Sequence, residues 1–223
     1  MVHGGRHRWI IRTVLLATGI VDRLLPIRGI AKGTADAVMR ICAICDGYEA
    51  SDHRIAVYGP AATMVEHAGF LRTYSFRVSA VLSESAELTL AHRELADSFA
   101  VTVFPPPSRI ELIHGTNYRI SGCRVQWSDR TGIFDSFYPV SGSAAQSELA
   151  TALDARVHED SALVVDTHMQ TSVDGLYAID DVVSALNPIS VAVGHAVLAV
   201  SAIHERCPPN ALKAGSDRWW HRT

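Results

Sequence analysis

Two cysteines in Cys42-Ala-Ile-Cys45, followed at once by Asp46, form the segment of this chain best suited to chemistry. Thiols at i and i+3 come within disulfide reach on one helical turn. If that turn opens a helix, the positive end of the backbone dipole lowers a thiol pKa and favours the thiolate, the form that attacks disulfides. A neighbouring carboxylate can deliver or remove the proton that thiol exchange requires. The same spacing also suits two buried apolar cysteines, or half of a zinc site. Zinc takes about four ligands. Cys123 and Cys207 stand alone, so a redox pair is the preferred reading and no metal is expected.

Two further groups have some chemical content. Gly59-Pro60-Ala61-Ala62-Thr63-Met64 lies between a strand-like and a helix-like stretch, where a dinucleotide turn would have Gly at its first and third positions and a small residue at its sixth. Ala61 puts a methyl where pyrophosphate would approach, and Met64 would prop the helix off the strand. By itself this is an ordinary strand-to-helix turn. The third group, Asp174 to Asp181, precedes a long helical pattern. A carboxylate there could take a ribose or ribityl hydroxyl, although in isolation a capping or solvated turn acid is the preferred reading.

The elements that must position these residues follow from periodicity. Thr13–Ala17, Arg54–Tyr58, Arg77–Leu82 and Ala100–Phe104 read as strands, with helical stretches at Ala62–Tyr74 and Ser85–Ser98 between the later ones. Alternation of this kind predicts βαβ units and a parallel sheet. Arg109–Ile113, Gly122–Trp127 and Ile133–Val140 are short and turn-bounded, which predicts an antiparallel meander. Ser147–Leu153 reads as helix and Ala162–Asp166 as extended. Pro188 to Cys207 is an amphipathic helix, with Ile189, Val193, Val197, Val200 and Ile203 on one face and Ala192, Ala196 and Ala199 between them. The residues after Pro208-Pro209 have no periodicity.

Composition narrows the classes. With 48% hydrophobic and 19% charged residues in 223, the chain can bury a sizeable core and is neither disordered nor fibrous. A net charge of −3 offers no general attraction to nucleic acid or anionic membrane. The apolar run Trp9–Val21 is shorter than the roughly 20 residues of a membrane span and lacks a cleavage site, so the cytoplasm is the expected compartment.

In order and spacing the three groups resemble the low-molecular-weight thioredoxin reductase family, and within it bacterial thioredoxin-reductase-like NAD(P)/FAD-dependent oxidoreductases. The carrying stretches are Thr13–Ile27, Ile41–Gly59, His67–Ser75 and Gln170–His204. The resemblance implies an α/β protein: a Rossmann-like inserted nucleotide domain plus the incomplete C-terminal half of a three-layer FAD-binding domain. Its boundaries would be 1–26 for a remnant of the FAD domain, 27–138 for the NAD(P)-binding-like domain with the Cys pair, 139–206 for the returning FAD half, and 207–223 for a loose tail. The strand, Gly-x-Gly-x-x-Gly turn and helix that open the family have no counterpart, so a chain truncated at its N-terminus is expected.

By the same resemblance Cys45 is the thiol nearest the flavin, Cys42 the interchange thiol and Asp46 the acid/base. Thr18 and Gly19 lie where the chain leaves the flavin domain, Asp181 holds the ribityl chain, and Asn187 and Ile189 begin the final helix beneath the flavin ring. Gly59 and Ala61 fall in the pyridine-nucleotide turn. Several residues depart from the pattern. Asp180 replaces a Gly and would set a carboxylate beside phosphates. Pro188 removes a backbone N–H. The acidic stretch Leu82–Glu87 lacks the Arg cluster that would hold a 2′-phosphate, which disfavours NADPH and leaves NADH a weak fit, so NAD(P)H use is in doubt.

The implied function is electron transfer between NAD(P)H, FAD, the Cys pair and a thioredoxin-like protein or small-molecule dithiol, in a homodimer or with a complementing chain. The alternative is a catalytically silent relative that serves as a partner-dependent binding module or is a decayed gene product.

Overall fold

The computed structural model describes residues 2–4, 7–9, 11–184 and 186–207; the expected tail lies outside them from residue 208 onward. In chain order the elements open with β1 (Val2–Gly4), β2 (His7–Trp9), β3 (Val14–Leu16), β4 (Ile20–Asp22), α1 (Ile30–Ala35) and α2 (Ala43–Asp46). Then come β5 (Ile55–Gly59), α3 (Ala61–Leu71), β6 (Val78–Leu82), α4 (Leu90–Ser98), β7 (Thr102–Phe104), β8 (Arg109–His114), β9 (Ile120–Gln126) and β10 (Thr131–Phe134). β11 (Ser136–Pro139), β12 (Ser143–Ala145), α5 (Glu148–Thr151), β13 (Leu176–Ala178) and α6 (Ile189–Arg206) complete the order. The chain is mixed α/β and divides into two compact units, one of Asp22–Ser143 and the other of the described residues within Met1–Val21 and Ala144–Thr223.

In the unit of Asp22–Ser143 a four-stranded parallel sheet runs in the order β11-β5-β6-β7. Ile55, Ala56 and Val57 are all fully buried, as a central parallel strand covered on both faces requires. The two-residue side-chain period sorts them. Ile55, Val57, Val78 and Ala80 join Met64, Val65, Ala68 and Leu71 of α3 in one core cluster. Ala56 and Val81 face the other way, into a cluster with Cys123, Val125, Trp127 and Phe134 of the antiparallel sheet β10-β9-β8. Helices, parallel sheet and antiparallel sheet thus make three layers.

Three boundaries differ from the expected ones. Helix α4 begins at Leu90 and not near Ser85, because the Thr89 hydroxyl accepts the His92 N–H at 3.2 Å and caps the first turn there. Helix α3 ends at Leu71, short of Tyr74. The run Ile133–Val140 belongs to two sheets. It breaks at Asp135, so β10 pairs antiparallel with β9 while β11 lies parallel to β5. Arg54 fastens the break: its guanidinium grips both Asp135 oxygens at 2.7 and 3.0 Å, and its carbonyl accepts the Asp135 N–H at 2.8 Å.

The second unit pairs β3 with β13 in parallel and packs Val14 and Leu16 against Leu163, Leu176, Ala178 and Val182. The expected extended segment Ala162–Asp166 carries only isolated bridges, Val157 to Leu163 and Val165 to Thr171. Helix α6 packs through Ala196 and Ala199 against Leu15, Met169 and Ile179, while Ile189, Val193, Val197 and Val200 are more than half exposed. The small-residue side of the helix makes the close contact, and the branched apolar stripe faces outward. At its end Arg206 donates to Asp174 and Gln170 at 2.7 and 2.6 Å. Among the described residues no helix is long and apolar enough to cross a membrane.

Candidate functional site

The Cys pair sits where an extended segment is pinned to β11 and then turns. Met39 bridges Phe137 in parallel, the Phe137 N–H donates to the Val38 carbonyl at 2.8 Å, and the Arg40 N–H donates to the Phe137 carbonyl at 2.9 Å. Cys42 then caps the single-turn helix α2, its carbonyl accepting from the N–H groups of Cys45 and Asp46 at 3.1 and 3.2 Å. Cys42 and Cys45 are joined as a disulfide with Cα atoms 5.3 Å apart. Ala43 is buried in the core beneath, which aims the turn outward; Cys45 is exposed, Cys42 half-buried, and Ile41 and Ile44 flank them in the open.

Asp46 is held from two sides. Arg40 Nη1 lies 3.0 Å from Asp46 Oδ2 and donates to its carbonyl at 3.2 Å. The Tyr138 hydroxyl donates to Asp46 Oδ1 at 2.9 Å. Arg40 is only 6% exposed, and its Nε donates to the buried Ser136 Oγ at 3.2 Å, which in turn stands 2.9 Å from His53 Nδ1. Burial, followed by the hydrogen bond to Asp46 and the charge of that carboxylate, raises the Tyr138 phenol, so it remains a donor across the whole working range of pH.

None of Arg40, Ser136 and Tyr138 was singled out from the sequence. Arg40 is one charge in the apolar run Val38–Ile41, a weak local signal, and Tyr138 lies 92 residues from Asp46, beyond any local spacing.

The residues expected to bind flavin lie in the other unit. Thr18 Oγ1 donates to the Gln146 carbonyl at 2.7 Å. The Gly19 N–H donates to Asp180 Oδ1 at 3.2 Å, and the Val182 N–H donates to the same oxygen at 2.8 Å. The Asp180 carboxylate is thus turned onto the chain's own amides. Asp180 holds φ +66°, the left-handed region where glycine fits without cost. Asp181 is half-buried in the following single turn, and Asn187 and Ile189 are exposed at the start of α6, with Pro188 as its cap.

Toward FAD, Asp181 is a half-buried carboxylate within the 180–182 turn. The Gly19 amide, already taken by Asp180, is closed to phosphate.

At the turn expected to hold pyridine nucleotide the residues pack closely. A Cβ on Gly59 would lie 2.9 Å from the Val140 carbonyl oxygen, so glycine there lets the chain at the end of β5 pass close to Val140. Pro60 caps α3 and its carbonyl accepts from Thr63 and Met64. Ala61 is half-buried against the core, and Met64, expected to prop the helix away, is wholly buried within it. Glu84 and Glu87 are exposed beyond β6. Among the described residues no group of His, Cys, Asp and Glu could hold a metal ion.

The profile of the pyridine nucleotide-disulphide oxidoreductase family matches residues 4–196. Thioredoxin reductase of Listeria monocytogenes is 26% identical over 208 residues, covering 89% of this chain and 63% of that protein. Thioredoxin reductase of Helicobacter pylori is 27% identical over 184 residues, covering 77% and 58%. The crystal structure of HlmI superposes with a TM-score of 0.75 at 27% identity, over 87% of this chain and 59% of that one. Thioredoxin reductase of Streptococcus pyogenes shares the fold with a TM-score of 0.76 at 23% identity, over 86% and 64%. The chain therefore spans 58–63% of the length of these two curated relatives.

Proposed function

This chain belongs to the pyridine nucleotide-disulphide oxidoreductase family, and from that premise we propose that it is a dithiol–disulfide oxidoreductase working through Cys42, Cys45 and Asp46. One observation carries the reading: an accessible disulfide is followed directly in the chain by a carboxylate whose two oxygens are held by separate donors. A dithiol partner attacks one sulfur as its thiolate, forms a mixed disulfide and displaces the other sulfur. Its second thiol then closes the partner's own disulfide. Two electrons and two protons pass to the Cys pair, and Asp46 accepts the proton of an attacking thiol and returns it to a departing one.

Cys42 is read as the interchange thiol and Cys45 as the flavin-side thiol. Residues 27–138 are read as the pyridine-nucleotide domain, with 1–26 and 139–206 as the flavin part. Thr18, Gly19, Asp181, Asn187 and Ile189 would hold FAD, which supplies two-electron exchange with the dithiol when bound. Gly59 and Ala61 would face NADH in preference to NADPH, given the acidic Glu84 and Glu87. A thioredoxin-like protein or small dithiol in a reducing cytoplasm is the partner class.

The test is thiol counting on the full chain before and after dithiothreitol, with oxidised dithiothreitol to reverse it, and flavin absorbance after incubation with FAD. The pair is expected to open and close reversibly, gaining and losing two thiols. A pair that stays closed in dithiothreitol would overturn the reading.

A further inference from the structure

We propose that Arg40 and Tyr138 are positioning residues that act on the Cys pair through Asp46, fixing its carboxylate as the acceptor for the proton of an attacking thiol. The inference rests on the dithiol–disulfide reading above and adds to it two residues that do not themselves exchange electrons or protons. Three features separate this arrangement from an ordinary ion pair. First, each carboxylate oxygen has its own donor, Tyr138 on Oδ1 at 2.9 Å and Arg40 on Oδ2 at 3.0 Å, so the carboxyl plane is fixed and cannot turn about its bond to the chain. Second, the two donors come from different elements: Arg40 from the segment bridged to β11, and Tyr138 from β11 itself. Third, the guanidinium is almost wholly buried and is itself held by Ser136 Oγ, backed by His53 Nδ1.

Burying an arginine for stability alone is a poor use of a charge, since an apolar replacement of the whole pair commonly does as well or better. A guanidinium is instead the group of choice where a planar carboxylate must be held in one orientation. The groups facing Asp46 are Arg40 and Tyr138, with Tyr74 from the turn after α3 lying against the neighbouring Gly47 and His53 one step further, through Ser136. With its donors in place the Asp46 charge is partly compensated. Without them that charge, on the residue next to Cys45, is uncompensated and opposes formation of a thiolate.

The experiment uses the full chain, reduced with dithiothreitol and desalted. The rate of iodoacetamide alkylation at Cys42 and Cys45 is followed against pH by peptide mass spectrometry. In Arg40→Met the midpoint of the profile is expected to move upward by about one pH unit. In Tyr138→Phe, which keeps the buried ring and serves where Arg40→Met fails to fold, it should move the same way by less. On an Asp46→Asn background both shifts should vanish, the signature of action through Asp46 that a merely structural role would not give. Shifts that persist undiminished on Asp46→Asn, or that are absent from both single variants, would overturn the positioning role while leaving the dithiol reading intact. A wild-type pair that dithiothreitol does not open overturns both.

Discussion

Cys123 lies wholly buried between the two sheets of its unit, and desolvation pushes its thiol up to about 12. Almost none of it is thiolate at neutral pH, so it is chemically silent while the fold is intact. Native, oxidised protein should take up iodoacetamide at the exposed Cys207 and not at Cys123, with label on Cys123 appearing only on unfolding. Asp135 gives a second measurable quantity. The hydrogen bonds from the Arg54 guanidinium lower its carboxyl to about 2, against an unfolded value near 3.9. Its folded value is depressed, so the stability it contributes is present above about pH 4 and is lost as pH falls towards 2. Both side chains are partly solvated, which screens the pair. Asp135→Asn should therefore cost about 1 kcal/mol at neutral pH, and the difference should close near pH 2 in urea titrations. At this scale the sequence displayed Cys42, Cys45 and Asp46 because their chemistry is local. Arg40 and Tyr138 stayed hidden, since a pairing across 92 residues needs the sheet to be built first.

The strands and helices were legible in proportion to how far burial imposed a period. β5 and β6, covered on both faces, read as apolar runs, and α3 as a helix, because each has neighbours that demand it. The run Ile133–Val140 has β character throughout, and nothing in its residue types announces that Asp135 hands the chain from one sheet to another. Helix α6 was legible both as a helix and in the small residues that allow close packing: Ala196 and Ala199 make the contact, while Val193, Val197 and Val200 are exposed. Gly59 tests the packing account of the β5–α3 turn. Gly59→Ala should destabilise the protein by about 1–3 kcal/mol, because the new methyl meets the Val140 carbonyl and not a flexible side chain. A melting temperature equal to that of wild type would instead favour a role in nucleotide contact.

Over the whole molecule, two units each own their core, and the chain passes between them at 21–22 and 143–144. Independent cores predict independent unfolding. Hydrogen exchange in increasing urea should release Asp22–Ser143 and the described residues of the other unit in two separate steps, and a single concerted release would contradict this division. The Cys pair lies in the first unit and the Thr18, Gly19 and Asp181 group in the second. If the latter group holds FAD as proposed, added FAD should protect the second unit from exchange.

Strand β11 carries a consequence for how the chain tolerates change. Phe137 faces the core shared with the antiparallel sheet, while Ser136 reaches Arg40 and Tyr138 reaches Asp46. Alternate positions on one strand thus answer to different selections. A library scored for soluble expression and one scored for thiol turnover should agree at 137 and part company at 138, where phenylalanine keeps the buried ring and loses the hydroxyl that reaches Asp46.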